Sequence, residues 1–222
     1  MYDIDKSLFW IGHASFYLKC GDYTLFIDPF GISAEVSRTK ADLILVTHAH
    51  FDHFSKKDMG SVSKKDTEII TSTQTLEEKK GIRIARPGYN EYFHGVKIEA
   101  VPAYNVNRER LGFHPKANQW VGYVIETDGT RIYHSGDTDL IPEMGNMADI
   151  DYALLPMGGT YTMDVDEAIK AAEVIGAKTV IPMHYKNLLG VEGSRKAEEK
   201  LKSKLKNVRV LKEVQEPTYS FK

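Results

Sequence analysis

At 222 residues, with 42% hydrophobic and 27% charged side chains, the chain holds the material for one substantial core and too little for two comfortable domains. A formal net charge of −2 gives no global attraction to nucleic acid or to an anionic membrane, so any anion binding has to be local. A single cysteine, Cys20, rules out an intramolecular disulfide and a cysteine-based zinc finger, and is expected to be a small buried apolar residue.

Met1 to Lys6 carries three charges and lacks the apolar run of a signal peptide. No stretch reaches a membrane-spanning length, so a cytoplasmic protein is expected. The runs Leu8-Phe9-Trp10-Ile11, Phe16-Tyr17-Leu18 and Tyr23-Thr24-Leu25-Phe26-Ile27, split by Gly12-His13 and Gly21-Asp22, predict a β-meander. Asp28-Pro29 ends it, and Leu43-Ile44-Leu45-Val46 predicts a buried strand that leads straight into Thr47-His48-Ala49-His50-Phe51-Asp52-His53. Ser55, with Asp58 three positions on, predicts a short capped helix. Glu68-Ile69-Ile70 predicts a strand, and Thr73 to Lys80 a helix ended by Gly81. Ile82-Arg83-Ile84, Tyr92-Phe93 and Val96 to Val101 follow as strands.

In the second half, Trp120 to Ile125 and Arg131 to His134 flank an Asp128-Gly129 hairpin turn. Asp151 to Leu155 reads as a strand stopped by Pro156, and Lys178 to Met183 as another. Between them Asp164 and Glu167 form a capping box for a helix that sets Ala168, Ile169, Ala172 and Ile175 on one face. Ser194 to Asn207 reads as a solvated helix packed by Leu201 and Leu205, and Val208 to Val210 as an edge strand. With no repeat and no linker, one domain over residues 1–222 is expected.

His48, His50, Asp52 and His53 put four metal-competent side chains into six positions at a strand end. A lone histidine in a strand is usually a satisfied polar residue, but four such groups together resist burial as packing. In an extended segment His48, His50 and Asp52 share a face, and a turn at Asp52-His53 is needed to bring His53 to the same spot. Asp28, Asp137 and His184 likewise follow directly on predicted strands, where layered α/β proteins assemble their sites. Singly, Asp28 reads equally as a turn residue and Asp137 as a helix cap.

This set, with Gly136-Asp137 and Met183-His184 behind the histidine run, resembles the metallo-β-lactamase superfamily. Gly12-His13-Ala14-Ser15-Phe16, Tyr133 to Thr138 and Pro182-Met183-His184-Tyr185 are similar to its small stand-alone hydrolases related to ascorbate-6-phosphate lactonase. The resemblance implies an α/β fold, a four-layer αβ/βα sandwich of two mixed β-sheets flanked by helices. It also implies a dinuclear site for two divalent metal ions, zinc first, with manganese or iron as alternatives. In that assignment His48 and His50 bind one ion, Asp52, His53 and His184 the other, and Asp137 bridges them, while Asp28 orients a ligand histidine from behind. The usual third histidine of the first ion is missing from Val101-Pro102-Ala103-Tyr104-Asn105, and His114 is nominated in its place.

The activity so implied is hydrolysis of a small ester, lactone or phosphodiester, phosphorylated substrates included, by a metal-bridging hydroxide. Asp52 and His13 are the catalytic candidates, and His13, in a Gly-His turn, reads equally as a satisfied structural histidine or as a pocket residue that acts on the leaving group or binds substrate. His134, inside a strand, is read as structural, and His94, in a turn, as a surface residue. Arg108, Arg110 and Lys116 bracket His114, and Lys186 follows His184, so a cationic rim for anionic substrates is weighed against ordinary solvated loop charge. Tyr161, in the Gly158-Gly159 loop, is a further substrate contact. Competing readings are a nuclease or RNA-processing phosphodiesterase, which the charge balance disfavours, and a metal-binding protein without turnover. A small-molecule partner is expected, with neither membrane nor nucleic acid, and a homo-oligomer is compatible with the sequence.

Overall fold

The computed structural model describes residues 4–73, 76 and 80–218. The chain divides into two compact units, Met1–Ala85 with Leu211–Lys222, and Arg86–Val210, each built on one six-stranded mixed sheet. The fold class is therefore α/β, as expected.

In the first unit, after the short helix α1 (Ile4–Ser7), β1 (Leu8–Gly12), β2 (Ser15–Cys20) and β3 (Tyr23–Ile27) form the expected antiparallel meander. From β3 onward the pairing turns parallel, through β4 (Ala41–Val46), β5 (Ser63–Thr71) and β6 (Ile82–Ile84). Parallel pairing puts the carboxyl ends of β3 and β4 side by side, with Ile27 opposite Leu45 and the Asp28 N–H donating to the Leu45 carbonyl at 2.9 Å. Helix α2 (Lys56–Val62) is capped by Ser55, whose hydroxyl accepts from the Asp58 N–H. Its Met59 and Val62 join Ile11, Tyr17, Phe26, Val36, Ile44 and Val46 in a buried cluster. Asp58 is itself buried and accepts from the N–H groups of Gly31 and Ile32, tying the loop after Asp28 to the helix. Cys20 is half-buried at the end of β2 rather than enclosed, because it is the last residue of the strand before the hairpin turn at Gly21. The helix expected over Thr73 to Lys80 lies largely outside the described residues.

In the second unit β7 (Asn90–Phe93), β8 (Val96–Pro102), β9 (Val121–Thr127) and β10 (Thr130–His134) pair antiparallel. β10 then runs parallel to β11 (Tyr152–Pro156), and β11 to β12 (Thr179–Met183). Pro156 does not stop β11 but sits in its last position, opposite Met183. Helix α3 (Val165–Ile175) has the expected capping box of Asp164 and Glu167 and ends at Gly176, φ 67°. It buries Ala171 as well as Ala168, Ile169, Ala172 and Ile175, and each large side chain so removed from water contributes roughly 1.5–3 kcal/mol.

Helix α4 (Lys186–Lys204) starts eight residues earlier than the charge pattern suggests, because a non-helical Gly190 joins two segments. Its buried stripe is Ser194, Ala197 and Leu201, and Leu205 lies beyond it as the C-cap. Val208 makes a single bridge to Val180 instead of a strand. No helix among the described residues is long and apolar enough to cross a membrane.

Candidate functional site

The histidine run leaves the sheet at Val46 and makes the turn at Asp52-His53 that bringing His53 to the same spot requires. The N–H groups of His53 and Phe54 both donate to the His50 carbonyl, at 3.0 and 2.8 Å, and this turn is what allows His53 to point back toward β3. His48, His53 and Asp28 are buried, and one donor atom from each lies within 4.8 Å of the others. The His48 and His53 ring centroids are 4.0 Å apart.

Asp28 organises this cluster. Its Oδ1 accepts from the Thr47 N–H at 2.7 Å, and its Oδ2 accepts from the Thr47 hydroxyl at 2.6 Å and pairs with His53 Nδ1 at 2.7 Å. A carboxylate only accepts, so His53 Nδ1 carries its proton and Nε2 keeps a lone pair. The Thr47 proton is committed to Asp28, so its oxygen accepts from His48 Nδ1 at 2.9 Å and His48 has the same tautomer. The resulting His48 Nε2 lone pair faces His50 Nδ1 at 3.1 Å.

Asp28 occupies a left-handed backbone conformation, φ 46°, which is costly for a residue with a Cβ. The Ser15 hydroxyl offsets that strain by donating to the Asp28 carbonyl at 2.5 Å and accepting from the Phe30 N–H at 3.0 Å. His13 has a similar backbone, φ 52°, held by the Trp10 indole N–H on its carbonyl at 3.0 Å. Its Nε2 lies 2.9 Å from Asp52 Oδ2, and both side chains are buried. His13, Asp28, His48, His50, Asp52 and His53 are thus each linked by contact to at least one other of the set.

In the second unit the parallel ends of β10, β11 and β12 deliver Asp137, the Gly158-Gly159 loop and His184. His184 adopts φ 54° immediately after β12, and its Nε2 lies 3.1 Å from Asp137 Oδ2. His114, nominated from sequence, is 1% exposed, and its Nε2 lies 3.4 Å from the same oxygen. The Asn105 side-chain oxygen accepts at 2.9 Å from His114 Nδ1, which again leaves Nε2 with the lone pair. A lone pair and a carboxylate oxygen at this separation repel unless a cation, a proton or a metal ion, stands between them.

The donor chemistry of both clusters fits divalent metal ions. Two ligands on a tetrahedral zinc at 2.0–2.1 Å stand roughly 3.3 Å apart, which matches 3.1 Å for His48 and His50 and 3.1–3.4 Å around Asp137. Histidines whose Nδ1–H is taken by an acceptor, with Nε2 left over, are the usual metal-binding arrangement.

His134, fully buried in β10, accepts the Gly136 N–H at Nδ1, 3.2 Å, and so shapes the turn before Asp137, a structural role. His94 is exposed in its turn. The basic residues part company. Arg108 is exposed, whereas Arg110 is 5% exposed and turned inward onto Asp139, Glu167 and the Thr162 carbonyl. Burial alone works against the Arg110 charge, but the Glu167 and Asp139 carboxylates hold its pKa above the usual guanidinium value. Lys116 reaches Tyr104 Oη at 3.0 Å and Glu143 at 3.1 Å, so part of its charge is already met. Tyr161 stands 39% exposed with its ring edge-on to Phe113, centroids 4.8 Å apart. Lys186 opens α4, two residues beyond His184. Sequence reading gave Asp58 only as a partner in the α2 cap, passed over Asp139, and noted Asn105 only for not being a histidine. The one signal for Asp139 was its place two residues after Asp137.

The family of the β-lactamase superfamily domain matches residues 7–184 of the chain. A UPF0173 metal-dependent hydrolase of Methanoregula boonei is 38% identical over 184 residues, which cover 80% of this chain and 81% of the relative. One from Pyrococcus furiosus is 38% identical over 192 residues, 79% and 83% of the two chains. Among solved structures, a protein of Parabacteroides distasonis superposes with a TM-score of 0.82 at 36% identity, over 94% of this chain and 93% of its own. The metallo hydrolase Igni18 of Ignicoccus hospitalis does so at 0.73 and 26% identity, over 97% and 99%.

Proposed function

The chain belongs to the β-lactamase superfamily and is a metal-dependent hydrolase, and from that premise we propose that it cleaves a small ester, lactone or phosphodiester, phosphorylated substrates included. The metal ligands in this reading are His48, His50, Asp52 and His53 from the first unit, and His114, Asp137 and His184 from the second, for two divalent ions, zinc first. The observation that carries it is the tautomer shared by His48, His53 and His114, each with Nδ1 spent on an acceptor and Nε2 left to ligate.

When bound, the ions supply Lewis acidity, which makes water acidic enough to be a nucleophile at neutral pH and polarises the substrate's carbonyl or phosphoryl oxygen. Asp52 holds and orients the nucleophile's proton. His13 donates its Nε2–H to Asp52 Oδ2 at 2.9 Å, so it gives that proton to the leaving group and is reprotonated by the one Asp52 has taken up. The left-handed turn at Gly12-His13, fixed by Trp10, keeps the imidazole against Asp52 instead of out in solvent. Arg108, Lys116, Tyr161 and Lys186 contact the substrate. Since Arg110 is spent within the fold, its anion-binding capacity rests on the remaining three basic residues.

The test pairs metal content per chain, by plasma mass spectrometry, with turnover of a chromogenic phosphodiester and a lactone panel. Two ions with turnover support the hydrolase. Full metal loading with no turnover on a wide panel would instead favour a binding protein.

A further inference from the structure

Asn105 is 3% exposed, and both ends of its amide are engaged. The oxygen accepts from the His114 backbone N–H at 3.0 Å and from His114 Nδ1 at 2.9 Å. The nitrogen donates to Asp139 Oδ1 and to the Tyr161 carbonyl, both at 3.1 Å. This fixes the amide's orientation. Turned over, it would set a donor against the His114 N–H and an acceptor against a carboxylate and a carbonyl.

The groups behind Asn105 are as buried as it is. Asp139 is 1% exposed, and its second oxygen accepts from the N–H groups of Val106 and Asn107, both at 2.8 Å. Arg110 Nε stands 3.1 Å from Asp139 Oδ1, an ion pair at an angle that falls short of a hydrogen bond. The other guanidinium nitrogens donate to the Thr162 carbonyl and to Glu167. A buried pair of this kind holds one geometry, because breaking it strands a charge.

We propose that Asn105 is the positioning residue for His114: it fixes the ring as the Nδ1–H tautomer with Nε2 turned toward Asp137, and Asp139 with Arg110 holds Asn105 in the one orientation that does so. The inference rests on the reading of His114 as a metal ligand. A neutral imidazole has two tautomers, and the hydrogen bond at one nitrogen decides which nitrogen the metal meets. Removing such a partner costs a metal site about 10–100-fold in affinity.

The experiment uses the zinc-loaded full chain and three readouts: the imidazole ¹⁵N spectrum, zinc affinity by chelator competition, and melting temperature. The wild type is expected to show His114 protonated at Nδ1 and bound to zinc through Nε2. Asn105→Ala is expected to weaken one zinc site about 10–100-fold, and Asn105→Asp, which keeps an acceptor for Nδ1, to recover part of that loss even if it melts lower. A merely structural Asn105 would lower the melting temperature of both variants without separating their zinc affinities, and that result would overturn the proposal. So would zinc bound to His114 Nδ1 in the wild type, a measurement that needs no variant. His114→Ala separates the two levels: if it keeps both ions at wild-type affinity, the ligand reading of His114 falls and the positioning role with it. If it loses an ion while Asn105→Ala binds as wild type, only the positioning role falls.

Discussion

Three hydrogen bonds to Thr47 and His53 converge on the two oxygens of Asp28, and through them one carboxylate sets the tautomer of both His48 and His53. Asp28→Asn replaces one acceptor oxygen with a donor, so at least one of the three donors is left facing an NH2 instead of an acceptor. Metal affinity is expected to fall about 10–100-fold, read by chelator competition, and wild-type affinity in this variant would remove Asp28 from its orienting role. His13 makes a different demand, since its contact is to Asp52 and not to another ring nitrogen. His13→Gln is expected to lower kcat by about 10²–10⁴-fold, the range for a lost general acid–base group, with two ions still bound per chain. Loss of metal in that variant would instead make His13 part of the binding set.

The strands and helices place these residues through close backbone approaches. Gly158 follows β11, and a Cβ there would lie 2.5 Å from the His184 carbonyl oxygen and from Leu188 Cδ1. Gly158→Ala therefore has to displace the turn that carries His184, costing about 1–3 kcal/mol of stability by overpacking together with metal affinity. A denaturant melt and a zinc titration check both, and an unperturbed His184 would show that the turn can yield. Gly122 in β9 makes the same approach to the His134 and Ser135 carbonyls, at 2.7 Å each, just ahead of Asp137.

Helix α3 adds a pH dependence. Burial alone would raise the pKa of Glu167, but its hydrogen bonds to Arg110 and to the Asp164 N–H hold it below the ordinary value. A carboxylate with a lowered folded-state pKa stabilises fully above its unfolded pKa, and that stability is lost as the pH falls through the folded value, so the loss sets in below about pH 4. Glu167→Gln is expected to flatten this acid limb of the melting curve. Stability that still falls as steeply in the variant would assign the limb to other carboxylates.

For the molecule as a whole, metal and stability are linked, because ions that bind only the folded chain stabilise it by mass action. Stripping the ions with a chelator is expected to lower the calorimetric melting temperature. Returning zinc at about 100 times its dissociation constant restores about 2.7 kcal/mol. No change on stripping would mean that the histidines and carboxylates are fully satisfied without metal.

Sequence alone made the class of chemistry legible, because the ligand-type residues His48, Asp137 and His184 each stand within three residues of the end of a predicted strand, and the apolar runs of such strands are buried whatever packs on them. The meander, the α3 capping box and the α2 cap were equally open to reading, since each is decided by residues within a few positions of one another. Arg110 and Lys116 look alike in the chain, two basic residues flanking His114. Only the folded chain sends Arg110 inward, because Asp139, Glu167 and the Thr162 carbonyl, 29 to 57 residues further along, supply its partners. Asn105 passes without a role for the same reason, its partners His114 and Asp139 lying 9 and 34 residues away, and the alternation of the histidine run does not by itself show the turn closed on the His50 carbonyl, which only the need to bring His53 to the same spot calls for. What composition and spacing determined was which residue types stand at the strand ends. Which ring nitrogen each histidine presents, and which charges are spent inside, was decided by contacts between residues far apart in the chain, which no local pattern encodes.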